Sequence, residues 1–125
     1  MSAACACGSG LPYSACCQPL HSGGPAASAE ALMRSRYSAY ALGLRDYLLA
    51  SWHPTTRPSE LELDAATRWL GLSIKQRRAT GPDRAEVEFV ARYRVGGGSA
   101  VRLHERSRFR REGDSWFYVD GDQPG

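Results

Sequence analysis

Val87-Glu88-Phe89-Val90-Ala91-Arg92-Tyr93, the loop Gly96-Gly97-Gly98, and Val101-Arg102-Leu103-His104-Glu105-Arg106-Ser107-Arg108-Phe109-Arg110 form the stretch that decides the fold. Side chains alternate between two faces along a strand, so a period of two marks a half-buried strand. Val87, Phe89, Ala91 and Tyr93 alternate with Glu86, Glu88, Val90 and Arg92. Val101, Leu103, Glu105, Ser107 and Phe109 alternate with Arg102, His104, Arg106, Arg108 and Arg110. The glycines between the two runs read as a hairpin loop. Working outward, Gly81-Pro82-Asp83 is a turn leading back to a strand in which Leu70, Leu72 and Ile74 alternate with Gly71, Ser73 and Lys75. Gly113-Asp114 turns the chain forward into a last strand from Trp116 to Asp120. The reading is an antiparallel strand meander.

Upstream the period changes. Ser28 is a good N-cap, and Glu30 sits in the first turn, where a negative charge suits the helix dipole. Met33, Tyr37, Tyr40 and Leu44 then recur as one apolar stripe, and Gly43 breaks the helix. Residues 46–52 read as a second short helix, ended by His53-Pro54 because the residue before proline disfavours helical backbone. Pro58 marks a loop, and Glu60 to Arg68 reads as a third short helix. Helices first and a meander afterwards give an α+β class, with helices on one face of an antiparallel sheet.

The N-terminus carries a different signal. Cys5-Ala6-Cys7 and Cys16-Cys17 are the chain's four cysteines, joined through Gly8-Ser9-Gly10. Four thiolates brought together by a tight turn are the ligand set of a structural Zn²⁺, and the glycines permit such a turn. A redox relay and a disulfide framework are the alternatives. The second needs an oxidising compartment, and adjacent cysteines bridge only with strain. Residues 18–28 read as a linker from their prolines, glycines and small side chains. The expected division is therefore a metal motif over 1–20 and an α+β domain over 21–125. His21 is a spare potential ligand, with a structural role as its plainer reading.

Composition narrows the function classes. A chain of 125 residues can bury one core, and its net charge of +3 does not by itself point to nucleic acid. No apolar run is long enough for a membrane helix, and residues 1–10 lack the basic and apolar regions of a signal peptide. Reduced cysteines without an export signal point to the cytoplasm.

Glu105 shares a face with Leu103 and Phe109 and so points toward the helices. A carboxylate there must be paired, protonated or line a pocket, with Arg34, Arg36 or His53 as partners. Its plain reading is a structural ion pair; its sharper one is a general acid or base, with His53 as a second proton-transfer group and Arg34 or Arg36 as an anion clamp. His53 has a plain reading too, as a helix-terminal residue bonding the backbone. Trp52, Trp69 and Trp116 read as core or as aromatic pocket walls. The ligand-contacting set expected of such a pocket is Arg34, Arg36, Trp52, Trp116, Tyr118 and Asp120. The Arg102–Arg110 face is either solvated and salt-paired with Glu86 and Glu88, or a nucleic-acid surface. No aromatic interleaves the arginines, so a stacking platform is absent.

Cys-Ala-Cys-Gly-Ser-Gly-Leu-Pro-Tyr-Ser-Ala-Cys-Cys resembles the SEC-C motif, the zinc module at the C-terminus of the SecA translocation ATPase. Leu11 and Pro12 stand where such motifs usually carry lysines that dock on the acidic chaperone SecB, so the resemblance does not extend to that partner. Residues 32–40, Tyr47-Leu48, Trp52-His53-Pro54, Trp69-Leu70-Gly71-Leu72, residues 105–109 and Tyr118-Val119-Asp120-Gly121 follow in order. Together they resemble the YchJ-like family of bacterial proteins. That resemblance implies a cone-shaped domain like nuclear transport factor two, a curved sheet wrapped around helices. It implies a fold and a metal but no reaction, since the family has no established activity. The expected function is a zinc-binding module that binds or adapts a protein or small ligand. The alternatives are a small-molecule enzyme using Glu105 and His53, and nucleic-acid binding through the arginine strand.

Overall fold

The computed structural model describes residues 3–123. After a 3-10 turn at Tyr13–Ala15 come three helices, α1 (Gln18–His21), α2 (Ala29–Leu42) and α3 (Arg45–Ala50). Four strands follow, β1 (Thr67–Gly81), β2 (Arg84–Val95), β3 (Val101–Glu112) and β4 (Ser115–Asp122). They pair in chain order as an antiparallel sheet. The α+β meander read from the sequence is the observed architecture.

α2 is the axis of the molecule. The Ser28 hydroxyl accepts from Ala31 N at 3.0 Å, which satisfies one of the free amides of the first turn. Met33 and Tyr37 are buried against the sheet side, while Ser35 and Ser38 are buried on the other. Small hydroxyls tolerate this burial because both bond backward, Ser35 to Leu32 O at 2.7 Å and Ser38 to Ser35 O at 3.1 Å. The helix ends at Leu42, so Leu44 leaves the apolar stripe and serves as N-cap of α3.

β3 pairs with β2 without a shift, from Arg84 opposite Arg110 to Tyr93 opposite Val101. Its inward and outward faces therefore stay constant, and Glu105 keeps company with Leu103, Ser107 and Phe109. The irregularity on the other side of β3 lies opposite Arg108 and Phe109, where β4 holds one residue more. β1 carries three register shifts, at Trp69/Gly71, Ile74/Gln76 and Ala79/Gly81. Extra residues of this kind bend a strand and increase its twist.

Two segments differ from the sequence reading. No helix forms over Glu60–Arg68; the chain is irregular until β1 begins at Thr67. Asp64 accounts for this, because its carboxylate accepts from Ala66 N at 2.8 Å and its carbonyl from Thr67 N at 3.0 Å. A side chain that captures the following amide competes directly with the helical ladder. Residues 18–28 are also no slack connector. Gln18–His21 forms a helical turn, Leu20 packs on the core, and Ala26 is buried within it.

Candidate metal centre and cavity

The knuckle is built from backbone turns. Ala4 and Pro12 form an isolated bridge, with Cys5 N donating to Leu11 O at 2.9 Å and Tyr13 N to Ala3 O at 2.8 Å. Between them the chain reverses through Gly8 and Gly10, at φ 78° and 87°, a region other residues rarely adopt. The reversal carries Cys5 and Cys7 back to Cys16 and Cys17. The four Sγ atoms all lie within 4.8 Å of one another, with Cys7–Cys16 at 3.5 Å and Cys16–Cys17 at 3.9 Å. Sulfurs at about 2.3 Å from a tetrahedral Zn²⁺ stand roughly 3.8 Å apart. Donor number, donor type and spacing thus suit a closed tetrahedral metal site. No disulfide closes it.

The cage is not at ease as free thiols. Burial pushes Cys17 and Cys16 up from the ordinary thiol value. Burial also acts upward on Cys7, but hydrogen bonds from the Ser9 hydroxyl and backbone outweigh it and bring the group down to about 7. A divalent cation replaces these protons and removes the conflict between burial and charge.

The cage is stitched to α2 and the sheet. Cys5, Cys7 and Cys17 belong to the same buried cluster as Met33, Tyr37, Val87 and Phe109. Arg34 donates from Nη1 to Cys7 O at 2.9 Å and from Nε to Glu30 at 3.0 Å, and Glu30 also pairs with Arg77 of β1. His21 spans Tyr13 OH, 2.6 Å from Nδ1, and Ser35 O, 2.8 Å from Nε2. A carbonyl can only accept, so Nε2 carries the proton and Tyr13 donates to Nδ1. His21 is thereby structural, and the thiol cluster contains no histidine.

Between α2 and the sheet lies a cavity of about 260 Å³. Its walls are Met33, Tyr37 and Tyr40 of α2, then Trp52, Trp69, Phe89, Ala91, Leu103, Phe109 and Tyr118. The polar lining consists of Arg36, Glu105 and Ser107, apart from the tyrosine hydroxyls. Arg36, only 5% exposed, lies over the rings of Tyr118 and Trp52 at 4.5 and 4.9 Å. Both of its hydrogen bonds run from Nη1, to Leu48 O at 2.8 Å and Ser51 Oγ at 2.7 Å. Burial lowers its pKa from the ordinary arginine value. Burial likewise pushes Tyr118 up, with the Glu105 charge adding to it.

Glu105 is held from two sides. Ser107 Oγ donates to its Oε2 at 2.5 Å. Gly121 of β4 makes room, because a Cβ there would lie 2.6 Å from that oxygen and 2.9 Å from Cδ. Arg36 and Glu105 line one cavity, yet no ion pair closes between them among the described residues. Trp52 Nε1 is, among those residues, the one buried side-chain nitrogen or oxygen without a hydrogen-bond partner.

The other residues singled out in the sequence lie elsewhere. His53 is buried but does not line the cavity; its Nε2 meets Glu112 at 2.9 Å and its Nδ1 meets Thr55 at 2.7 Å. Its amide donates to Tyr118 O at 2.7 Å, pinning the end of α3 to β4. Arg34 serves the knuckle, Trp116 lies under Arg111 at 5.7 Å, and Asp120 pairs with Arg108 at 2.6 Å. Of the site residues named from the sequence, Arg36, Trp52, Tyr118 and Glu105 line this one cavity; Ser107, which also lines it, and Gly121, which lies against Glu105, were not among them. Ser107 had a readable signal, being two residues from Glu105 on the same strand face.

The geometry defines a class: a cone-shaped α+β domain like nuclear transport factor two, carrying an N-terminal cysteine knuckle. Residues 28–121 match the family described as YchJ, middle NTF2-like domain, and residues 1–19 match the SEC-C motif. The chain belongs to the YchJ-like family, whose relatives are called UPF0225 proteins. The relative from Xanthomonas campestris pv. campestris is 58% identical over 118 residues, 93% of this chain and 92% of that one. The relative from Polaromonas naphthalenivorans is 58% identical over 114 residues, covering 90% and 83%. The solution structure of a SEC-C motif containing protein from Rhodopseudomonas palustris superposes with a TM-score of 0.85 at 39% identity, over the whole of both chains. The crystal structure of such a protein from Psychrobacter arcticus gives 0.78 at 28% identity, covering 96% of this chain and 81% of that one.

Proposed function

We propose that the chain is a zinc-stabilised binding module whose cone cavity holds a small ligand. The observation that carries this reading is a carboxylate and a guanidinium lining one ring-walled cavity without closing on each other. A buried guanidinium and a half-buried carboxylate facing one cavity attract each other strongly where water is scarce. Left apart, they favour a molecule placed between them. Ring walls favour a flat ligand, and a lining whose formal charges cancel favours one that is neutral overall. Such a ligand donates to Glu105 and accepts from Arg36 or from the unpaired Trp52 Nε1.

The metal supports this role without taking part in it. A four-thiolate site has no open position, so a Zn²⁺ held by Cys5, Cys7, Cys16 and Cys17 shapes residues 1–20 and catalyses nothing. Residues 21–125 then form the cone, with Arg34 and His21 joining the two parts. Thiolate ligands need reduced cysteines, which fits a reducing compartment such as the cytoplasm. Among the described residues no helix is long and apolar enough to cross a membrane. A catalytic pairing of Glu105 with His53 is disfavoured, because His53 is spent on Glu112 and Thr55 outside the cavity.

The test is native mass spectrometry of protein purified gently from its own cells, followed by denaturation and identification of what is released. The expected result is zinc together with a small flat organic molecule, and loss of that molecule from Glu105→Ala and from the cavity-filling Leu103→Trp. An unliganded cavity in the native protein, with Leu103→Trp simply raising Tm, overturns the ligand reading. Zinc-free protein overturns the metal.

A further inference from the structure

The sheet's outer face, turned away from α2, is electrically divided. On one half every arginine that the structure places beside a carboxylate is neutralised. Arg78 meets Glu86 at 2.9 Å, Arg106 meets Glu88 at 3.5 Å, and Arg108 meets Asp120 and Asp122 at 2.6 and 3.2 Å. Arg84 stands opposite Arg110 as a single arginine without a carboxylate at ion-pair distance among the described residues, and Arg110 beside it has Glu112 at 3.5 Å.

The other half is different. Arg92 of β2 stands directly opposite Arg102 of β3, and Arg94 of β2 directly opposite Arg68 of β1. Opposed residues share a face, and so do residues two apart, so all four side chains rise from the same surface. All four are exposed, and none is within ion-pair distance of a carboxylate among the described residues. The nearest acid in the preceding loop, Asp64, is occupied in its own turn with Ala66 N. Like charges directly opposed destabilise a sheet, here twice in adjacent register. Among the described residues no ion pair offsets that cost.

We propose that this arginine quartet is the docking site for an acidic protein segment, a short run of Asp and Glu on a partner. Guanidinium forks match carboxylates in bidentate geometry, which explains why a compact cluster of this type selects a carboxylate run. The footprint decides against nucleic acid. Strand neighbours two apart are about 6.8 Å apart and opposed strands about 5 Å, so the quartet covers only a few carboxylates. Glu86 and Glu88 bound it on β2, and the strands' inward faces hold Trp69 and Tyr93. A single-stranded nucleic acid needs a longer basic track and rings for its bases, on the order of four or more nucleotides per site. The arginine strand therefore divides into a paired part from Arg106 to Arg110 and a bare part at Arg102.

Fluorescence anisotropy of full-length, metal-loaded protein with a fluorescein-labelled hexaglutamate peptide tests this. Binding is expected at low salt and should weaken roughly tenfold on moving to physiological ionic strength. The double variant Arg92→Gln/Arg102→Gln should lose roughly tenfold or more in affinity, and Arg108→Gln, in the paired half, no more than about twofold. The double variant should also gain in Tm, because two opposed like charges are gone; this readout confirms that it folds. Absence of peptide binding at low salt overturns the proposal, as does binding that Arg92→Gln/Arg102→Gln leaves unchanged. Oligothymidylate of the same formal charge binding more tightly than the peptide, through the same arginines, overturns the acidic-segment assignment in favour of nucleic acid.

Discussion

Gly121 shows how much one missing atom decides. Its Cα faces the Glu105 carboxylate so closely that a methyl would have to displace either the carboxylate or the Arg106 carbonyl, 3.1 Å away. Gly121→Ala is therefore expected to push Glu105 out of its bond with Ser107 at a cost of only about 1 kcal/mol, that of the lost hydrogen bond, because the atoms that must yield are the end of a flexible side chain. Urea denaturation reads the stability, and loss of the proposed cavity ligand reads the displacement. The cysteines carry a complementary prediction. Cys17→Ser removes a buried ligand from a site whose other three thiols cannot complete a tetrahedron. If the proposed zinc fills the site, its content by elemental analysis should fall well below one per chain after dialysis against a chelator that leaves the native site loaded. Lowering the pH should release the metal from the native protein as protons compete for the thiolates.

At the scale of elements, α2 and the end of α3 do most of the positioning. Ser28→Ala removes the one side-chain cap of α2 and is expected to cost about 1 kcal/mol, measured by thermal or urea unfolding. α3 is fixed through His53, whose ring is clamped between Thr55 and Glu112. The bond from His53 holds Glu112 below the ordinary glutamate value of 4.5, with Arg110 adding to the effect. The folded value is depressed, so the stabilisation is fully present above the ordinary range and disappears as pH falls through the folded value. Glu112→Gln should flatten the acid limb of the Tm profile slightly, because Glu112 is exposed and its pairing screened. Elements were legible where one signal dominated. Ser28, Glu30 and Gly43 bracket α2 locally, and the alternation in β2 and β3 needs no distant information. The expected helix over Glu60–Arg68 fails at Asp64, whose own side chain takes the amide of Ala66. The longer extent of β1 was missed because its last residues, from Gln76 onward, are mostly exposed and carry no apolar alternation.

The whole molecule joins knuckle and cavity through α2. Met33 and Tyr37 line the cavity and also belong to the buried cluster that contains Cys5, Cys7 and Cys17. Removing the metal should thus be felt on both sides of the helix. Chelation is expected to lower Tm, to weaken retention of the proposed cavity ligand and to shift the fluorescence of Trp69, which packs on Tyr37 at 5.5 Å. The far-UV signal of the sheet should persist at room temperature, since its strands pair without help from residues 5–17. Loss of the sheet signal on chelation would show that residues 21–125 do not stand without the metal. The helices-then-meander order and the thiol cage could be read from local patterns, because alternation, caps and cysteine spacing are properties of neighbouring residues, whereas the cone shape came only from the family resemblance. Glu105 could be aimed correctly for the same reason. Its surroundings could not be read, nor could the separation of His53 from the cavity or the division of the arginine face. Each of these depends on which residue stands opposite which across strands and helices distant in sequence. Gly121 beside Glu105, Glu112 at His53, and Arg92 facing Arg102 with no carboxylate at ion-pair distance among the described residues are facts of register and packing, set only when the chain closes on itself.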